Sequence, residues 1–100
     1  MDNKVVEIFI PGPVGRLEAK YFKSKKSTSP IALMLHPHPQ YGGTMNNKVV
    51  VETFNTFVEN EFSVCRFNFR GVGKSDGEFD NGQGELADAA AALDWREREN

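Results

Sequence analysis

Two stretches of this chain concentrate the residue types that do chemistry. The first is His36-Pro37-His38-Pro39-Gln40-Tyr41-Gly42-Gly43-Thr44. Proline has no amide hydrogen, so the nearest backbone donors after His36 are those of His38, Gln40 and Tyr41. Gly42 and Gly43 then permit a tight turn or a close approach of backbone to a ligand. A loop of this kind, between a strand and a helix N-terminus, is suited to holding an oxyanion. His36 and His38 also raise the question of a metal, with Glu78 or Asp80 as companions. Zinc takes three or four ligands in fixed geometry, and these two are the chain's only histidines. No metal site is therefore expected. The plainer alternative has both imidazoles bonded to backbone groups.

The second stretch is Arg70-Gly-Val-Gly-Lys-Ser-Asp-Gly-Glu-Phe-Asp80. Gly73-Lys74-Ser75 looks like the end of a phosphate-binding loop. Such a loop carries an earlier glycine where Asn68 stands here, and its helix opens at the lysine. Gly73-Lys74-Ser75-Asp76-Gly77 also matches G-x-S-x-G literally. A nucleophile elbow needs a strand running straight into the serine and a helix starting straight after it. Here Gly71 and Gly73 come first, and helical patterning resumes only near Glu85. Ser75 is expected to be a loop hydroxyl that caps a turn. Ser24, Ser27, Ser29 and Ser63 have no histidine and acid converging on them. One catalytic arrangement stays open: Ser75 facing His36 or His38 across adjacent loops, with Asp76 or Asp80 as orienting acid.

The elements that must position these loops follow from periodicity. Val5 to Ile10 reads as a strand, ended by a Pro11-Gly12-Pro13 turn. In the next run Leu17, Ala19 and Tyr21 alternate with Arg16, Glu18 and Lys20, as in a half-exposed strand. The two form an antiparallel hairpin. Lys23 to Pro30 is a polar loop, and its short lysine cluster reads as a solvated surface. Ile31 to Leu35 is wholly apolar, which fits a strand covered on both faces in a parallel sheet. Met45 to Glu59 carries Val50, Phe54, Phe57 and Val58 on one helical face, with Thr44 as cap. Phe62 to Phe69 is the next strand, with Arg66 and Asn68 as polar intrusions. A glycine-rich loop runs from Gly71 to Gly84. Glu85 to Arg98 is an alanine-rich helix with Leu86, Ala90 and Leu93 on a stripe. The order is β-β-β-α-β-α. Its second half makes a parallel strand pair by crossover. Active sites of such sheets lie beyond the strands' C-terminal ends, which is where the His36 and Arg70 loops fall.

Composition sets outer bounds. At 100 residues the chain fits one small domain or a piece of a larger one, and a net charge of −2 gives no broad field to attract nucleic acid or an anionic membrane. Its single cysteine, Cys65, allows no internal disulfide and reads as an inert buried thiol. Nothing resembles a signal peptide or a membrane span. The expected location is the cytoplasm.

Two pieces, HPHPQYGGTMNNKVV (His36 to Val50) and RFNFRGVGKSDGEFDNGQGE (Arg66 to Glu85), resemble bacterial α/β-hydrolases, close to hydrolases related to the dienelactone-hydrolase and prolyl-oligopeptidase-like groups. The likeness runs through essentially the whole chain. It implies an α/β fold, the N-terminal half of an α/β-hydrolase sheet with strand order 1-2-4-3, as one partial domain over residues 1–100. It implies serine-type hydrolysis of an ester, thioester or amide, a small-molecule substrate and no cofactor. The oxyanion donor it points to is the amide of His38, with Gln40 second. His36, Tyr41, Gly42, Gly43, Arg70, Gly71, Gly73, Ser75 and Asp80 would shape the pocket, with Asp80 and Glu85 fixing the loop. In that family serine, acid and histidine follow later in the chain. The sequence stops at Asn100, before the fifth strand, so the triad is expected to be missing and the isolated chain inactive. The third strand would then present an open apolar edge, inviting self-association or a complementing C-terminal segment. The competing expectations are a non-enzymatic partner-binding remnant and a small enzyme built on Ser75 and His38.

Overall fold

The computed structural model describes residues 5–26, 29–36 and 43–99, apart from the side chains of Glu97 and Glu99. A four-stranded mixed sheet carries one helix on each face. The elements are β1 (Val6–Gly12), β2 (Gly15–Phe22), β3 (Ile31–Met34), α1 (Lys48–Glu59), β4 (Ser63–Phe67) and α2 (Gln83–Glu99). The sheet order is β1-β2-β4-β3. β1 and β2 pair antiparallel, β2 and β4 antiparallel, and β3 and β4 parallel. The crossover through α1 creates that parallel pair, as the apolar Ile31 run and the helical pattern after it require.

β4 is central, and every one of its residues is buried. Its alternate side chains build two separate cores. Cys65 and Phe67 face Ile10, Leu17, Ala19 and, from α2, Ala92. Val64 faces Phe22 and, from α1, Phe54, with Phe57 and Val58 packed alongside. The alternation expected in β2 therefore holds: Leu17 and Ala19 are buried while Arg16 is exposed.

Boundaries of β1, α1 and β4 differ from the sequence expectation, the first two for a local reason. β1 continues through Pro11, which pairs with Arg16, and the hairpin turns at Pro13-Val14 instead. β1 is an edge strand, so the amide that Pro11 lacks faces no neighbour. α1 begins at Lys48 rather than Met45, because Asn47 Oδ1 accepts from the amides of Val49 and Val50. Thr44 caps only the preceding turn, through Asn46. The β-branched run Val49-Val50-Val51 is helical all the same, with Val50 buried. β4 ends at Phe67, two residues short of the expected Phe69, though burial continues through Arg70.

The largest correction concerns α2. Leu86 and Leu93 are exposed, at 73% and 46%, and Ala90 is exposed as well. The helix buries Glu85, Asp88, Ala92 and Arg96 instead, the first two against the β4–α2 loop and the last two against the sheet. Arg96 lies over the Tyr21 ring at 4.4 Å, and Tyr21 meets Trp95 edge-on at 5.6 Å. Two helical stripes compete in this sequence, and polar bonds decide between them. No helix among the described residues is long and apolar enough to cross a membrane.

Candidate functional site

The two loops singled out by composition begin at the C-terminal ends of adjacent parallel strands. Their first residues are bonded to each other. The Phe69 amide donates to His36 Nε2 at 3.0 Å, and the two rings meet edge-on with centroids 4.8 Å apart. His36 is buried. With Nε2 accepting, the neutral imidazole carries its proton on Nδ1. His36 therefore acts as a fixed hinge between the loops. His38, Gln40, Tyr41 and Gly42 lie outside the described residues, and Gly43 is buried next to them.

Arg70 anchors the second loop. Its Nε lies 3.3 and 3.2 Å from the two Asp88 oxygens, and its Nη2 lies 2.9 Å from Oδ1. The Arg70 amide also donates to Asp88 Oδ2 at 2.9 Å, and Nη2 donates to the Gly84 carbonyl at 2.8 Å. Both side chains are buried. The Asp88 hydrogen bonds hold the guanidinium pKa above its ordinary value against the opposing effect of burial. A fork-to-fork pair of this kind sets direction as well as charge, so it fixes where the strand hands over to the loop. Gly84 makes room for it: a Cβ there would fall 2.4 Å from Arg70 Cζ.

Ser75 is buried, and its hydroxyl is committed twice. It donates to the Asn68 carbonyl at 2.7 Å and accepts the Glu18 amide at 2.8 Å. It thus ties the loop to β2 and to the end of β4, which is more than the turn cap expected of it. Its neighbours repeat the theme. Asn68 Oδ1 accepts from the Met45 amide, and Asn68 Nδ2 donates to Glu18 Oε1. Glu18 Oε1 accepts from the Lys74 amide too. Gly73 sits between, at φ 55°, and a Cβ there would be 2.6 Å from both Asn68 Nδ2 and Glu18 Oε1. Asp76 bonds the Arg16 backbone in both directions, at 2.7 and 2.8 Å. That Arg16 amide lowers the Asp76 carboxyl pKa. Gly71 adopts φ 76°, and its amide donates to the Asp76 carbonyl.

The far end of the loop is closed by Glu85. Burial pushes its carboxyl up, but the amides of Asp80, Gly82 and Glu85 itself, with Arg70, prevail and the pKa is lowered. Asp80 contributes its backbone amide, while its side chain is exposed. Cys65 is no rival nucleophile: burial pushes its thiol up to about 12. Among the described residues no group of three or more His, Cys, Asp or Glu could hold a metal ion.

Glu18, Asp88 and the pairing of Arg16 with Asp76 went unrecognised in the sequence, where Asn68 stood out only as a polar intrusion near the end of its strand and Asp76 only as a candidate acid. Asp88 gave no clear signal: it shares a helical face with Glu85, Ala92 and Arg96, and charged residues on a helix ordinarily face solvent. Glu18 had none, because its partner lies 50 residues away.

No protein-family model matches the chain. It is 54% identical to an uncharacterized protein of Rickettsia prowazekii over 94% of its own length and 40% of that protein's. Among solved structures it is similar to a protein of unknown function from Agrobacterium tumefaciens, grouped with the α/β-hydrolases, at TM-score 0.91 and 54% identity over 94% of this chain and 43% of the other. An α/β serine hydrolase homologue from Coxiella burnetii gives TM-score 0.87 and 46% identity over 99% and 47%. An α/β serine hydrolase without a lid from Xanthomonas campestris gives 0.83 and 33% over 99% and 47%. The chain spans somewhat less than half the length of each of these relatives.

Proposed function

Given that the chain folds as the N-terminal portion of an α/β-hydrolase, we propose that it supplies the oxyanion side and the pocket floor of a serine-type hydrolase acting on an ester, thioester or amide. The observation that carries this is the His36–Phe69 bond. It joins the two site loops at the ends of adjacent parallel strands, where such sheets place their ligands. In this reading the amide of His38, or failing it that of Gln40, donates to the developing oxyanion. Arg70, Gly71, Gly73 and Ser75 hold the floor, and the attacking serine, its acid and its histidine are supplied by sequence other than these residues. The 100 residues alone then turn over no substrate. The chemistry needs no cofactor, and we place it in the cytoplasm.

A chimera tests this. Residues 1–100 are joined to the C-terminal portion of the Coxiella burnetii relative and treated with a fluorophosphonate and with p-nitrophenyl esters. The expected outcome is labelling of a serine in the grafted portion together with ester hydrolysis. A folded chimera that neither labels nor hydrolyses overturns the proposal.

A partner-binding half-fold is the second reading. It is favoured by β3, whose ladder partner among the described residues is β4 alone.

A further inference from the structure

A cation is buried in this fold with no counter-ion among the described residues. Arg66 projects from the middle of β4 toward α1 and is only 7% exposed. Its guanidinium lies over the Phe54 ring at 4.6 Å. Its Nε is buried and has no hydrogen-bond partner. Burial lowers its pKa, and among the described residues no carboxylate forms an ion pair with it. An arginine stays charged at any physiological pH, and a buried charge without a partner is costly.

The strand register makes the situation sharper. Glu7, Lys20 and Arg66 stand directly opposite one another across β1, β2 and β4. Lys20 is thus a second cation beside Arg66, and like charges in that position repel. The row's acid, Glu7, reaches Lys20 only at 3.9 Å, from an exposed position. A cleft of about 230 Å³ opens over this row, and Arg66 and Lys20 both line it. Glu7, the row's acid, lines it too, and the remaining wall is apolar, from Val5, Val51 and Phe54, apart from the amide side chain of Asn55.

We propose that this cleft is a binding site for a small monocarboxylate, with the carboxylate between Arg66 and Lys20 and a short apolar stem against Val51 and Phe54. Two cations and one carboxylate leave the row with a single net positive charge, which a monoanion neutralises. A planar carboxylate matches the guanidinium fork. The inference does not depend on the hydrolase assignment, since it uses the α1 face of the sheet and none of the loop residues.

The test is nuclear magnetic resonance on the labelled chain, following the Arg66 Nε–H signal. Sodium butyrate is titrated at constant ionic strength against sodium chloride, with inorganic phosphate as a parallel series. The expected result is a saturable shift with butyrate and none with chloride. Lys20→Gln, a half-exposed position, should weaken butyrate about tenfold, as for loss of a charge-assisted contact. Arg66→Met keeps the packing on Phe54 and should abolish the saturable shifts of the Val51 and Asn55 amides. If Arg66→Met does not fold, Lys20→Gln decides alone. A butyrate shift that never saturates, one that chloride reproduces, or one that Lys20→Gln leaves unchanged overturns the site. Tighter binding of phosphate than of butyrate overturns the monocarboxylate assignment.

Discussion

Asp88 shows how much of this loop depends on single polar bonds. It takes the Arg70 amide and the Arg70 guanidinium together, and it is fully buried. Asp88→Asn leaves the guanidinium buried without its charge partner, and should cost about 3 kcal/mol in urea unfolding. A loss within about 0.5 kcal/mol, as for a surface substitution, would contradict the clamp. The carboxylates of Asp76 and Glu85 lead to a pH prediction. Both are lowered in the folded chain. Their contribution is therefore complete above the unfolded carboxylate pKa of about 4, and it is lost as pH falls through the lowered folded values. Stability followed by circular dichroism should fall below that pH, and Glu85→Gln should flatten the fall. An unchanged acid profile in Glu85→Gln would contradict the role given to its three amide contacts. Residue identity made Arg70, Ser75 and His36 stand out in the sequence. Their partners did not, because Asn68, Glu18 and Asp88 are ordinary residues until the fold brings them into contact.

Elements were legible where one pattern had no competitor. The alternation in β2 and the apolar face of α1 carry straight through to burial. α2 is where the sequence misleads. Leu86, Ala90 and Leu93 make the more apolar stripe, yet the helix buries Glu85, Asp88, Ala92 and Arg96 against the loop and the sheet. The reason is electrostatic: Asp88 has Arg70 to pair with, and Glu85 has the loop amides. Caps were misplaced for a similar reason, since Thr44 and Asn47 both suit the position and only one has the helix amides within reach. The β4–α2 loop depends on backbone shape as much as on bonds. Gly73→Ala introduces a side chain at φ 55° and forces it against Asn68 and Glu18. The expected cost is about 2 kcal/mol, combining left-handed strain with the contact, read as a lowered thermal midpoint. A midpoint equal to that of the parent would show that the loop yields freely.

At the scale of the molecule, patterning gave the hairpin and the parallel pair made by the apolar Ile31 run, the helix after it and the apolar Phe62 run, while the full strand order came from the resemblance to α/β-hydrolases and matches the sheet. The β3 edge was legible too, as a consequence of that order. Its four residues are all half-buried, and Leu35 just beyond is 49% exposed. We expect the chain to self-associate along this edge, so that its weight-average mass in sedimentation equilibrium rises with concentration. A monomer that melts cooperatively at every concentration would contradict this. On the proposed reading these loops form a scaffold for catalysis, and the attacking group is not among them. Ser75 decides it, because its proton is already given to the Asn68 carbonyl. The direct measurement is fluorophosphonate treatment of the folded 100-residue chain, followed by mass-spectrometric mapping of Ser75. No adduct should form there, and an adduct that disappears in Ser75→Ala would put the attacking group within these loops.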